Sequence, residues 1–135
     1  MIFEWLDTYN LNVKEIDDQH HQLVDILNRL NTFITKGAPA KDSWLGLINE
    51  LSDYAYFHFK TEESLMTRHA FEYAEEHQED HAFFKNKIEY FKVAFETDDM
   101  NAADEMLYFL MVWLQNHILI VDHKLCVFLN KKGII

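Results

Sequence analysis

The sequence predicts an all-α protein, an antiparallel up-down four-helix bundle preceded by an N-terminal lid. Three observations carry this. Glycine occurs three times and proline once in 135 residues, too few for the turns of a sandwich or barrel. Four long segments place apolar residues three and four apart, the period of a helix with one buried face. The breaks between them are short and polar, which makes consecutive helices antiparallel neighbours. The length fits one domain spanning 1–135.

Residues 1–16 form an arm whose Phe3, Trp5, Tyr9 and Leu11 suit a lid packed on the bundle. The first helix is expected over about 18–36, with the stripe His20, Leu23, Leu27, Leu30 and Ile34. Asp17 is its expected cap, and Gly37 followed by Pro39 is its stop. The second is expected over about 42–69, with Trp44, Leu47, Leu51, Ala55, His58, Glu62 and Leu65 on one face. The third runs over about 73–96 through Ala74, His77, His81, Phe84, Ile88, Phe91 and Phe95. A break at Thr97–Asn101 follows, with Asn101 as the cap of a fourth helix over about 101–131. Its stripe is Met106, Leu110, Trp113 or Leu114, His117, Val121, Leu125 and Phe128, and Gly133 ends it. Helices of this length are marginal alone in water, so burial of the four stripes must hold them.

Charge and composition narrow the function. A formal charge of −11 opposes binding to nucleic acid or to an anionic membrane surface. The apolar run from Met106 to Leu129 is broken by Gln115, Asn116, His117, Asp122, His123 and Lys124, so no spanning helix is expected. The N-terminus lacks the pattern of a secretory signal. The single Cys126 excludes an internal disulfide and a cysteine-based zinc site, and a reducing cytoplasm is the expected location.

The chemistry lies in which polar residues occupy core positions. His20, His58, Glu62, His77, His81 and His117 all fall on apolar stripes. The pairs His58/Glu62 and His77/His81 are four apart and project from one face, one turn apart. Each such group costs a few kcal/mol when buried without a partner, and metal ions would satisfy all of them together. Asp122 is less regular. It follows His117 by five residues, about 140° round an ideal α-helix. It joins the cluster only across a wide helix face or through a π-type bulge. Any one of these histidines alone is more often a hydrogen-bonded core residue than a ligand; the joint pattern argues for ligation. His21, His69 and His123 lie off the stripes and read as surface or supporting residues.

Seven donors are too many for one ion and suit two ions with bridging carboxylates. Mixed imidazole and carboxylate favours iron or manganese. The Glu-x-x-His pairs of ferritin-like di-iron bundles are absent, since no histidine here has a glutamate three residues before it.

At this point the sequence resembles the hemerythrin family in its single-domain bacterial form. The resembling fragments are IDDQHHQLVDILN at 16–28, HFKTEESLM at 58–66, HQEDH at 77–81 and WLQNHILIVDHKL at 113–125. Two loops depart from the family pattern. Ala70-Phe71-Glu72 stands where Gly-Tyr-Pro is frequent, and Asn12 where a glycine is frequent. The resemblance implies two iron ions joined by an oxo or hydroxo bridge. His77, His81 and His117 would hold one and His20 and His58 the other, with Glu62 and Asp122 bridging. The second iron then has an open position, where O2 would bind reversibly for storage, delivery or sensing. Leu23, Trp113, Leu114 and Ile118 lie within a turn of these residues and are expected to line the O2 pocket. No catalytic residues are implied beyond residual oxidase or peroxidase activity. The alternatives are a di-iron oxidase, peroxidase or iron-detoxification enzyme, and an interaction module with a structural metal.

Overall fold

The apolar stripes close on one another as four antiparallel rods. The computed structural model describes residues 3–37, 40–99 and 101–135. Helix α1 spans Lys14–Thr35, α2 Lys41–Arg68 and α3 Ala74–Glu96. The fourth rod has three parts: α4 (Ala102–Asn116), a π-helical turn (His117–Asp122) and α5 (His123–Lys131). Among the described residues no strand occurs, and no helix is long and apolar enough to cross a membrane. Each rod packs on two others, α1 on α2, α2 on α3, α3 on α4 and α4 back on α1. This ring is the expected four-helix bundle.

The core is the sum of the stripes. Leu27 and Leu30 from α1, Phe84, Phe91 and Phe95 from α3, and Leu110 and Leu114 from α4 are fully buried. Each contributes about 1.5–3 kcal/mol relative to exposure. Beyond His117 the buried stripe moves by one residue. Val121 and Phe128, expected inside, are half-buried, while Asp122, Leu125, Cys126 and Leu129 are buried. The π turn supplies the reason: one residue beyond the α period is absorbed between His117 and Asp122, so everything after it is rotated.

The arm is a lid, as expected. Phe3, Tyr9, Leu11 and Val13 are buried against the bundle. The Asn28 side chain clamps Phe3 by accepting from its N–H and donating to its C=O, both at 3.1 Å. Helix α1 starts at Lys14, earlier than expected, because Ile16 already belongs to the buried stripe. Asp17 is therefore not its cap. It sits inside the first turns and accepts from the backbone N–H groups of Leu11 and Asn12 at 2.8 and 3.1 Å, tying the arm to the helix. Asn101 likewise makes no side-chain cap for α4; its own backbone is helical.

Three helix ends share one device. At the end of α2, Phe71 N–H donates to Met66 C=O and Ala70 N–H to Thr67 C=O, with Ala70 left-handed at φ 54°. At the end of α3, Asp98 takes that conformation at φ 63°, and at the end of α5 Gly133 takes it at φ 82°. This paired closure satisfies carbonyls that a helix terminus leaves free. Gly37, just past α1, is also left-handed at φ 90°, while Pro39 of the expected stop and Met100 of the third break lie outside the described residues. Asn12 is left-handed too, at φ 61°. Both departures from the family loop pattern thus keep a left-handed backbone with a non-glycine residue. Alanine is the worse fit, since its Cβ costs roughly 1–2 kcal/mol there. Ala70→Gly is expected to stabilise the fold by about 0.5–1 kcal/mol, the strain relief less the added freedom of the unfolded chain. Thermal melts of the two proteins check this.

Candidate metal centre

The six residues singled out from the stripes and the off-period Asp122 come together inside the bundle. His20 comes from α1, His58 and Glu62 from α2, His77 and His81 from α3, and His117 and Asp122 from the two ends of the π turn. Each is at most 2% exposed. In a regular helix Asp122 would point away from His117. The wider π turn returns residues five apart to the same side, and Asp122 Oδ1 lies 2.9 Å from His117 Nε2. A local distortion placed at a functional residue is common for this kind of turn.

The donors divide into two sets. Glu62, His77, His81 and His117 each offer an atom within 4.8 Å of the others, and so do His20, His58, Glu62 and Asp122. Glu62 belongs to both. Its Oε1 is 3.0 Å from His81 Nε2, 3.3 Å from His58 Nε2, 3.4 Å from His77 Nε2 and 3.6 Å from His117 Nε2. Asp122 faces both ways as well. Its Oδ2 is 2.6 Å from His20 Nε2, and its Oδ1 is 3.0 Å from His77 Nε2.

Charge explains why the arrangement is costly without an ion. Burial pushes the His77 imidazole down, yet the adjacent Asp122 and Glu62 carboxylates outweigh it and raise it to about 9. Burial opposes protonation of His117 too, but Asp122, Asp80 and Glu62 hold it well above its ordinary value. For Glu62 and Asp122, burial and mutual repulsion favour the acid, and the surrounding imidazoles win, holding both below the usual carboxylate range. His20 goes the other way: burial dominates its contact with Asp122 and lowers it.

Several polar atoms here remain without a hydrogen bond. They include Nε2 of His58, His77 and His117, Oε2 of Glu62 and Oδ1 of Asp122, all buried. Buried polar atoms are normally paired, and these are imidazole nitrogens and carboxylate oxygens gathered in one place. That donor set fits metal cations: neutral imidazoles, two carboxylates and no thiolate.

Three supporting residues were not recognised from sequence. His58 Nδ1 lies 2.5 Å from Gln19 Oε1, His81 Nδ1 2.8 Å from Glu63 Oε2, and His117 Nδ1 2.5 Å from Asp80 Oδ2. Each acceptor fixes the far nitrogen as N–H and turns Nε2 inward, the usual support for a ligating histidine. The available signal was adjacency: Gln19 precedes His20, Glu63 follows Glu62, and Asp80 precedes His81. The three off-stripe histidines stay outside the cluster. His21 and His123 are exposed and His69 is half-buried, and His21 stacks on Trp5 at 3.7 Å between ring centroids.

The four apolar residues expected around the site are all buried: Leu23, Trp113, Leu114 and Ile118. Trp113 lies flat on His117, with ring centroids 4.1 Å apart and planes 13° apart. Both residues line a groove of about 480 Å³ between α3 and α4. Phe59 covers His81 in the same way, at 3.9 Å.

Comparisons with known proteins agree with this geometry. The profile of the hemerythrin HHE cation binding domain matches residues 11–127. The chain is similar to a bacteriohemerythrin of Clostridium acetobutylicum, 29% identical over 91% of this chain and 98% of that one. It is similar to a bacteriohemerythrin of Pseudomonas aeruginosa, 30% identical over 84% of this chain and 72% of that one. A crystal structure of wild-type hemerythrin superposes with a TM-score of 0.81 at 26% identity, covering 91% of this chain and 94% of that chain. With a matched profile over most of its length, the same bundle and a buried set of donors that could hold metal ions, the chain belongs to the hemerythrin family.

Proposed function

We propose that the protein binds O2 reversibly at a non-haem di-iron centre held by His20, His58, Glu62, His77, His81, His117 and Asp122. The observation that carries this reading is a pair of four-donor sets sharing Glu62, with Asp122 of the second set also 2.9–3.0 Å from His117 and His77 of the first. One set holds three imidazoles and the other only two, so two ions bridged by carboxylates would have different numbers of protein ligands, with room for a small molecule on the His20–His58 side. Iron bound there, with an oxo or hydroxo bridge, would supply the electrons and the open coordination place that O2 requires.

The protein's own groups do the rest. Gln19, Glu63 and Asp80 hold His58, His81 and His117 in the tautomer that presents Nε2 inward. Glu62 and Asp122 neutralise cationic charge from opposite sides. The rings of Phe59 and Trp113 cover two imidazoles, and Leu23, Leu114 and Ile118 keep the interior apolar, which protects a bound ligand from stray protons. Five imidazoles to two carboxylates is a donor balance suited to holding O2 rather than to strongly oxidising chemistry. The buried, unpaired Cys126 suits the reducing cytoplasm proposed as its location.

The test is optical. The apo-protein is loaded anaerobically with Fe(II), exposed to O2 and then flushed with argon. A visible charge-transfer band that forms and fades over repeated cycles supports reversible binding. Irreversible conversion to a diferric spectrum moves the protein to an oxidase, peroxidase or detoxification role. No iron uptake sinks the reading.

The supporting residues make a separate prediction. Asp80→Asn keeps an acceptor near His117 Nδ1 and removes the charge. It is expected to weaken Fe(II) binding by about 10–100-fold while leaving the fold intact, since Asp80 is partly exposed. Competition with a chelator measures the affinity, and an unchanged affinity would show that His117 needs no such support.

A further inference from the structure

Among the described residues, three buried side-chain donors outside the seven-residue cluster have no hydrogen-bond partner: the indole N–H groups of Trp44 and Trp113 and the hydroxyl of Tyr54. Their positions differ. Trp44 packs edge-on to Phe33 and tilted against Phe95, among aromatic rings and away from the cluster. Trp113 lies on His117, which belongs to the set with three imidazoles. Tyr54 lies one helical turn before His58, with its ring nearly parallel to that imidazole, 14° between planes and 5.5 Å between centroids. It thus flanks the set with only two imidazoles.

We infer that Tyr54 is a hydrogen-bond donor to the small ligand that occupies the His20–His58 side of the centre. The inference rests on the reading of that side as the O2 site. A buried hydroxyl without an acceptor costs stability, and phenylalanine would fill the same space without that cost. Among the described residues the hydroxyl has no acceptor, and the ring that carries it lies against His58 of the set with two imidazoles. In the metal-free protein, burial and the charges of Glu62 and Asp122 push the phenol above its ordinary range. Those same two carboxylates define the centre of the cluster, so the hydroxyl lies within reach of their field. A ligand that gains negative charge on binding, such as O2, or that arrives as an anion, such as azide, is the acceptor a phenol O–H serves best. Tyr54 thereby sets how long the ligand stays; it has no part in holding the metal.

Tyr54→Phe tests this against the iron-loaded wild-type protein with two probes, O2 and azide. Loss of a hydrogen bond to a charged acceptor is expected to raise the O2 release rate in stopped flow by about tenfold to a hundredfold, with a comparable loss of azide affinity in the oxidised protein. Iron content stays at the wild-type value. The apo-protein melts at the same temperature as wild type or higher, because an unpaired buried hydroxyl has been removed. A structural role predicts the reverse: a lower melting temperature or a failure to fold would mean that the hydroxyl has a partner within the protein, and would overturn the inference. Equal release rates and azide affinities would overturn it too. If wild type itself binds neither probe, the O2-site reading fails and Tyr54 falls with it, an outcome distinguishable because it needs no variant.

Discussion

Replacing Glu62 with alanine is expected to abolish stable binding of both metal ions and to lower the stability of the apo-protein. Glu62 is the residue shared by the two donor sets, and its Oε1 stands 3.0–3.6 Å from four imidazole nitrogens. Asp122 also reaches four imidazole nitrogens, at 2.6–3.9 Å, but through two different oxygens. In the apo-protein, protonated His77 and His117 balance the two buried carboxylates. Removing one carboxylate leaves positive charge buried without its counter-ion, a change that costs about 3–5 kcal/mol where the charge cannot escape. Deprotonation of an imidazole relieves part of this, so the loss is expected at the lower end. Glu62→Gln separates charge from packing: it keeps the volume and one oxygen, and is expected to lose metal while melting above the alanine variant. Metal analysis after loading and denaturant titration of the apo-proteins provide both readouts. Two equivalents of iron retained by Glu62→Ala would remove Glu62 from the site.

The contrast between Glu62 and its neighbour Glu63 shows what was legible in the sequence. Glu62 falls on the same face as Leu51, Ala55 and His58, so the period of α2 alone puts a carboxylate inside. Glu63 lies one step round the helix among partly exposed residues, where an acidic side chain looks like any solvated one. Its bond to His81 depends on how α2 and α3 face each other, which periodicity does not encode. Gln19 and Asp80 escaped for the same reason. The fourth rod shows a second limit. Val121 fits an unbroken 3.6-residue stripe better than Asp122 does, and only a local change of helix type reconciles Asp122 with the cluster. The spacing raised that alternative because the chemistry required it, but nothing in the composition of His117–Asp122 marks a π turn. At the helix ends, Gly37 and Gly133 advertise a left-handed backbone, while Ala70 and Asp98 adopt it without a glycine to signal it.

The pH dependence of stability is expected to separate the apo-protein from the metal-loaded one. Without metal, His77 is raised from 6.5 to about 9, and His117 is raised as well. A group whose folded value exceeds its unfolded value adds stability that is complete below the unfolded value and disappears as pH climbs through the folded one. For His77 that window runs from about 6.5 to about 9, and the shift corresponds to roughly 3 kcal/mol. His117 adds to the loss in the same direction. Glu62 and Asp122 are depressed; their contribution is present above the ordinary carboxylate range and is lost only in strong acid. His20 is lowered, so its share is present above 6.5 and erodes as pH falls below it. The apo-protein should therefore lose stability steadily between pH 6.5 and 9. Metal ions take the place of the protons on His77 and His117, so the loaded protein has no such protons to lose, and its melting temperature should stay level across that range. Binding must release those protons, and affinity should fall as pH drops below about 9, where His77 takes up its proton. Melts of chelator-treated and iron-loaded protein at several pH values test both halves. A flat apo profile would mean that the two imidazoles are already neutral and that the cluster is held together by something other than buried ion pairing.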